Sequence, residues 1–136
     1  MKVFVCCSKH FYSKLPPILE KLEQLGHEST LPNSYHEPFK EEDMKLAGAK
    51  EHNEWKAGMI RLQAEKVAAN DAILVVNFEK NGIQNYIGGA TFLEIFQAFE
   101  RKKKIFLYNP VPEGIFKDEL DGMEPIVING ELEKIK

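Results

Sequence analysis

The segment Asn85-Tyr86-Ile87-Gly88-Gly89-Ala90-Thr91-Phe92-Leu93-Glu94 gathers residue types suited to handling a sugar or a phosphate. It follows an apolar, strand-like run and opens an apolar, helix-like one. Two adjacent glycines let a backbone approach a ligand closely. A helix N-terminus adds free N–H groups and the positive end of the helix dipole. Glu94 then falls about one turn into the helix, placing an acid beside the bound group. Tyr86 and Tyr35 fall in loops, where either could stack on a base or donate to developing charge.

Other polar residues fall at the ends of apolar runs: Ser8, Lys9 and His10 after the first, Asn77 at the end of the third, and Asn109 after the fourth. Ser8, Lys9, Asn77 and Asn109, with Gly88, Gly89 and Thr91, form the expected substrate-binding set, and His10 could bind an anion beside Lys9. Each has a plain structural use as well. A glutamate in a first helical turn complements the dipole, paired glycines make a tight turn, Ser8 suits an N-cap, and Asn77 suits capping of nearby backbone groups. His10, His27, His36 and His52 lack metal-ligand spacing, so neither a metal nor a cofactor is expected. Cys6 lies within an apolar run and reads as a small hydrophobe; Cys7 sits nearer its end. Trp55 reads as a helix-packing residue.

The elements that must hold these residues follow from periodicity. Lys2–Cys7 is a short apolar run rich in Val and Phe, hence a buried strand. Leu15, Ile18, Leu19, Leu22 and Leu25 recur at helical spacing, with Pro16 and Pro17 in the first turn and Gly26 as C-cap. His27–Leu31 is a shorter strand, and Pro32–Phe39 a turn. Helices are expected near Glu41–Lys50 and Asn53–Ala69. Asp71–Phe78 is apolar on both faces, as a central parallel strand must be. A loop over residues 79–88 leads to a helix over Gly89–Lys102. Then come a strand at Lys104–Tyr108, a turn at Asn109-Pro110-Val111-Pro112, a short helix near Ile115–Leu120, a strand at Pro125–Ile128 and a charged tail from Gly130. This alternation predicts one α/β domain over residues 1–136. Its five-stranded parallel sheet has helices on both faces in three layers, with flavodoxin-like order 2-1-3-4-5. Ligands bind such folds outside the carboxyl ends of the strands.

Composition bounds the partners. The chain has 136 residues, 43% hydrophobic and 29% charged, with net charge −3, which lacks the broad basic footprint of a nucleic-acid binder. The basic run Arg101-Lys102-Lys103-Lys104 falls where a helix should end, and cations complement the dipole there. Two adjacent cysteines imply no disulfide framework and fit a reducing cytoplasm. No apolar run approaches a membrane span, and the first residues enter a strand without a signal-peptide pattern.

Several pieces occur together: Val5-Cys6-Cys7-Ser8, Leu25-Gly26-His27-Glu28, Asn70-Asp71-Ala72-Ile73-Leu74-Val75, and Gly89-Ala90-Thr91-Phe92-Leu93-Glu94 followed by Ala98. In this order and spacing, over roughly residues 2–110, the chain resembles the nucleoside 2-deoxyribosyltransferase superfamily, which includes the deoxynucleoside 5′-monophosphate N-glycosidases. The resemblance implies that Glu94 attacks C1′ of a nucleoside or nucleotide, forming a glycosyl-enzyme ester and releasing the base, by the logic of a retaining glycosidase. Tyr86 is then the candidate to assist base departure. It further implies a small-molecule partner and a homodimer or larger homo-oligomer.

The chain departs from the family pattern at four places. Cys7 stands where the family usually has glycine, Phe4 where tyrosine is common, and Gln63 where an aspartate is typical. Gly88 stands where transferases carry an aspartate and hydrolases a small hydroxyl residue. The usual acid for base protonation is therefore missing. A non-catalytic module binding a nucleotide or nucleotide sugar is the alternative, and a structural or interaction protein on this fold is a third reading.

Overall fold

Val3–Cys6 and Ala72–Val75 are apolar at every position, a pattern that suits a strand covered on both faces. The computed structural model, which describes residues 1–136, pairs these segments at the middle of a parallel sheet. Its strands are β1 (Lys2–Cys6), β2 (Glu28–Thr30), β3 (Ala72–Val75), β4 (Lys104–Leu107) and β5 (Ile126–Val127), in the order β2-β1-β3-β4-β5. All pairings are parallel, with Val3 beside Ala72 and Ala72 beside Lys104. The helices are α1 (Leu15–Gln24), α2 (Lys40–Ala47), α3 (Ala49–Ala69), α4 (Gly89–Glu100) and α5 (Lys117–Gly122).

The pleat sorts the core into two layers. Val3, Val5, Leu74, Val76 and Phe106 pack with Leu15, Ile18 and Leu22 of α1. Phe4, Cys6, Ile73, Val75, Ile105 and Leu107 pack with Val67 of α3, Ile95 and Ala98 of α4, and Leu120 of α5. The expected sheet order and its helices on both faces are therefore present. Cys6 and Cys7, adjacent in sequence, fall in opposite layers. No helix is long and apolar enough to cross a membrane.

Several boundaries differ from the periodic reading. A 3-10 turn at Lys9–Lys14, capped by Ser8, follows β1 and leads into α1 with prolines in its first turn. Helix α3 begins at Ala49 and runs through Gly58 without a break. One glycine inside a long helix costs only about 1 kcal/mol relative to alanine, and packing covers that. Gly48 does end α2: its φ of +138° is a conformation side chains resist. The last short helix starts at Lys117 rather than Ile115. The C-terminal segment is more than a charged tail, since Leu132 and Ile135 are buried in the layer beneath α1. A four-residue step such as Lys80-Asn81-Gly82-Ile83 carries the Asn-Gly hairpin signal, and the loop does turn there, with positive φ at Asn81 and Gly82 and an antiparallel bridge from Lys80 to Ile83.

Candidate functional site

β1 and β3 are neighbours in the sheet, yet α1 lies on one face and α3 and α4 on the other. The chain leaving β1 and the chain leaving β3 thus diverge at their carboxyl ends, the switch point where α/β sheets hold ligands. A cavity of about 530 Å³ lies there. Its lining comes from the loop after β1 (Cys7, Ser8, Lys9, His10), the loop after β2 (Pro32, Asn33, Ser34), the α2–α3 pair (Glu41, Trp55, Lys56, Met59, Ile60, Gln63), and the segment from Lys80 to Glu94.

Glu94 is the unusual member. It is only 7% exposed and has no salt-bridge partner, yet it borders the cavity. Burial pushes its carboxyl up to about 8; the Cys6 thiol as a hydrogen-bond donor and the charge of Lys66 pull the other way without prevailing. Lys66 donates to the Leu31 carbonyl at 3.0 Å and lies over the Phe4 ring at 5.6 Å, and burial lowers its own pKa. The two thiols are poor nucleophiles. Burial, with Glu94 adding to it, pushes Cys6 well up and Cys7 up to about 12.

Helix α4 supplies the backbone side of the site. Gly88 is its N-cap, with no capping side chain and no acidic residue in the first turn. The first amide known to close a helical bond is that of Phe92, donating to the Gly88 carbonyl at 2.9 Å. The first-turn N–H groups before it, at Gly89, Ala90 and Thr91, therefore have no intrahelical acceptor. The two glycines have different reasons. A Cβ at Gly88 would come within 3.1 Å of the Tyr86 hydroxyl, so this glycine makes room for the tyrosine. A Cβ at Gly89 would meet nothing within 4 Å, so Gly89 faces open space beside the cavity.

A cationic group gathers opposite. Lys80 lies over the Tyr86 ring at 4.5 Å and donates to its hydroxyl at 3.5 Å. Some desolvation and the charges of Lys80 and Lys9 hold His10 below its ordinary pKa, which places the three near one another. Lys9 pairs with Glu42, and Lys56 pairs with Glu41 at 2.8 Å. Burial alone would raise the Glu41 carboxyl, but hydrogen bonds from Lys56 and His52 outweigh it and hold the group down at about 2.

Of the residues expected from sequence, Ser8, Lys9, Tyr86, Gly88, Gly89, Thr91 and Glu94 converge on this cavity. Ser8 also keeps its structural use, its hydroxyl accepting from the His10 amide at 3.4 Å. Asn77 and Asn109 do not line the cavity. They staple β3 to β4 instead. The Asn77 amide donates to the carbonyls of Asn109 and Pro110 at 3.1 Å each, and its oxygen accepts from the Asn109 amide at 2.8 Å. The Asn109 side chain donates back to the Asn77 carbonyl at 3.1 Å. The fold uses both side chains between β3 and β4, and they are not brought to the cavity with the other expected residues. Tyr35 packs on Tyr12 and His36, outside the lining.

The sequence reading missed Trp55, Lys56, Glu41 and Lys80 as cavity residues. Trp55 is a cavity wall rather than only a packing residue, with His52 stacked at 6.1 Å. Asn33 donates to the Met59 carbonyl at 3.0 Å, and its buried amide oxygen has no protein partner. Helix α3 carried no clear signal: it buries few side chains for its length, as a helix beside a polar cavity does. No group of three or more His, Cys, Asp and Glu side chains is arranged to hold a metal. The chain matches no family model and no curated protein.

Proposed function

We propose that the cavity binds a nucleoside or nucleoside monophosphate and that Glu94 acts at its anomeric carbon to cleave the N-glycosidic bond. The observation that carries this reading is the buried, unpaired carboxyl bordering a cavity of about 530 Å³ at the sheet's switch point. That volume lies within the range of small-ligand sites. Trp55 and Tyr86 supply flat surfaces for a base. The free amides of α4, with Ser8, suit sugar hydroxyls or a phosphate. The resemblance in motif order to the deoxyribosyltransferase superfamily agrees with this placement.

The reaction needs Glu94 as carboxylate when it meets C1′. In the empty cavity its proton is held to about pH 8; a developing oxocarbenium charge would weaken the carboxyl's hold on that proton, which passes by relay to the departing base as the ester forms. Bond formation from the Glu94 oxygen to C1′ releases the base with its electron pair. The base must gain a proton, and Tyr86, which lines the same cavity, is proposed to give it one and to recover the proton that leaves Glu94. Water then hydrolyses the ester, or a second base takes the sugar.

A second reading, binding without chemistry, draws on Gln63, which is buried and donates to the Ala90 carbonyl at 3.4 Å where a partner acid would be expected. One experiment separates the two. The protein is incubated with a panel of nucleosides and monophosphates, and free base is measured for the wild type and for Glu94→Ala. Base release that disappears in the variant supports catalysis. Thermal stabilisation by a nucleotide with no base release supports binding alone. The absence of both refutes the nucleotide reading.

A further inference from the structure

Helix α2 borders the cavity but belongs to neither core layer. It has no buried residue, and both Phe39 before it and Leu46 within it are exposed, at 71% and 87%. Its backbone hydrogen bonds are local, from Asp43 to Phe39 and from Gly48 to Met44, and none reaches the sheet. It packs along α3, where Met44 is half-buried, and charge fastens it further. Glu42 pairs with Lys9 on the loop after β1. Glu41 receives Lys56 at 2.8 Å and His52 at 2.9 Å, both from α3. Gly48, in a backbone conformation available mainly to glycine, joins α2 to α3 at one end, and Pro38 precedes it at the other.

The two lysines that hold α2 are also cavity-lining cations. An anionic group entering the cavity would want the same charges. We propose that α2 is an autoinhibitory strap: its Glu41 and Glu42 carboxylates occupy Lys56 and Lys9, and an anionic ligand opens the strap by taking those lysines. The inference rests on the reading of the cavity as a nucleotide site and adds its regulation.

The balance is set by the weakness of the fastening. Lys9, Lys56 and both glutamates are partly solvent-exposed, and exposed ion pairs contribute little each. A phosphate that takes Lys9 and Lys56 leaves Glu42 unpaired and Glu41 with only its His52 hydrogen bond, both beside new negative charge, so the strap and the anion oppose one another. An uncharged nucleoside has no such competition. The device therefore discriminates by charge at the mouth of the site while leaving Glu94 untouched.

The test uses the full chain and the double variant Glu41→Gln/Glu42→Gln. Amide hydrogen exchange over Lys40–Ala47 should be severalfold faster in the variant without any ligand. Inorganic pyrophosphate should accelerate exchange in the same stretch of the wild type. By calorimetry, a nucleoside monophosphate should bind the variant about tenfold more tightly than the wild type, the effect of removing two competing ion pairs, and the matching nucleoside should bind both equally. Unchanged exchange in the variant, slower or unchanged exchange with pyrophosphate, or equal or weaker monophosphate binding by the variant would each overturn the strap. If neither protein binds monophosphate or nucleoside, the nucleotide reading falls, and the two exchange measurements still decide whether α2 is a strap.

Discussion

Replacing Glu94 by glutamine should make the protein more stable, and more so as the pH rises. The folded chain holds the Glu94 proton up to about pH 8, against an ordinary 4.5. Between those values the folded state carries a proton that the unfolded state has released, so stability falls with rising pH across that window. Below pH 4.5 both states are protonated and the difference vanishes. Each pH interval of one is worth ~1.4 kcal/mol, so at pH 7 the native carboxyl costs about 3 kcal/mol, and at pH 8 and above roughly 5. Relaxation around the buried charge reduces this, and about half is a working expectation. Glutamine has nearly the same shape and no charge to desolvate. In a domain of this size each kcal/mol moves Tm by about 3–5 °C. Glu94→Gln should therefore melt about 7–12 °C above the wild type at pH 8 and within about 1 °C of it at pH 4.5. Glu41 titrates low, at about 2, and cancels in the comparison because both proteins contain it. Scanning calorimetry of both proteins from pH 4.5 to 8.5 checks the claim. A difference independent of pH, or a variant less stable at pH 8, would refute the assignment of a buried, unpaired carboxyl.

Three further outcomes follow from local geometry. Gly89→Ala should fold normally, with a gain of up to about 1 kcal/mol from helix propensity, because its Cβ meets no atom of the protein; calorimetry should show its affinity for a nucleoside monophosphate falling at least severalfold, since the added methyl occupies ligand space. Asn77→Ala should lower stability by about 2–3 kcal/mol in urea titrations through the broken β3–β4 staple and the carbonyls left without partners, with the same ligand affinity as the wild type. Leu132→Ala should cost about 2–4 kcal/mol by the same measurement, as a core residue does, which a loose tail would not.

The sheet was legible because β1 and β3 carry uninterrupted apolar runs and the connecting segments carry helical spacing with glycine and proline at their ends. The rim residues of α4 and of the loop after β1 were legible for the same reason, since topology alone brings those two segments to one edge. Asn77 and Asn109 could not be told apart from these because strand-end position says only that a side chain is near the rim. Whether it faces a cavity or its neighbour strand depends on the pleat and on which backbone groups lack partners. The α2–α3 wall was illegible for a different reason. A helix that borders a polar cavity has no apolar stripe, so Trp55, Lys56 and Glu41 look like an ordinary solvated face until the fold turns them inward.

The cost of Glu94 bears on the choice between catalysis and binding alone. A module that only held a nucleotide would be served as well by glutamine at position 94, which fills nearly the same space, offers both a donor and an acceptor, and avoids a desolvated carboxyl. The glutamate is worse for stability at every pH above about 5, by the argument from its raised titration. What it adds is an oxygen that can become a nucleophile once a neighbouring positive charge draws off its proton. Lys66 provides a small standing bias in that direction, and the oxocarbenium character of a glycosidic transition state provides the rest at the moment of reaction. In the proposed reaction, burial would keep the carboxyl neutral in the empty cavity and leave it to be activated by the substrate. A destabilising buried carboxyl beside a cavity is the trade of stability for activity expected of an active site, and it favours the proposed chemistry over recognition alone.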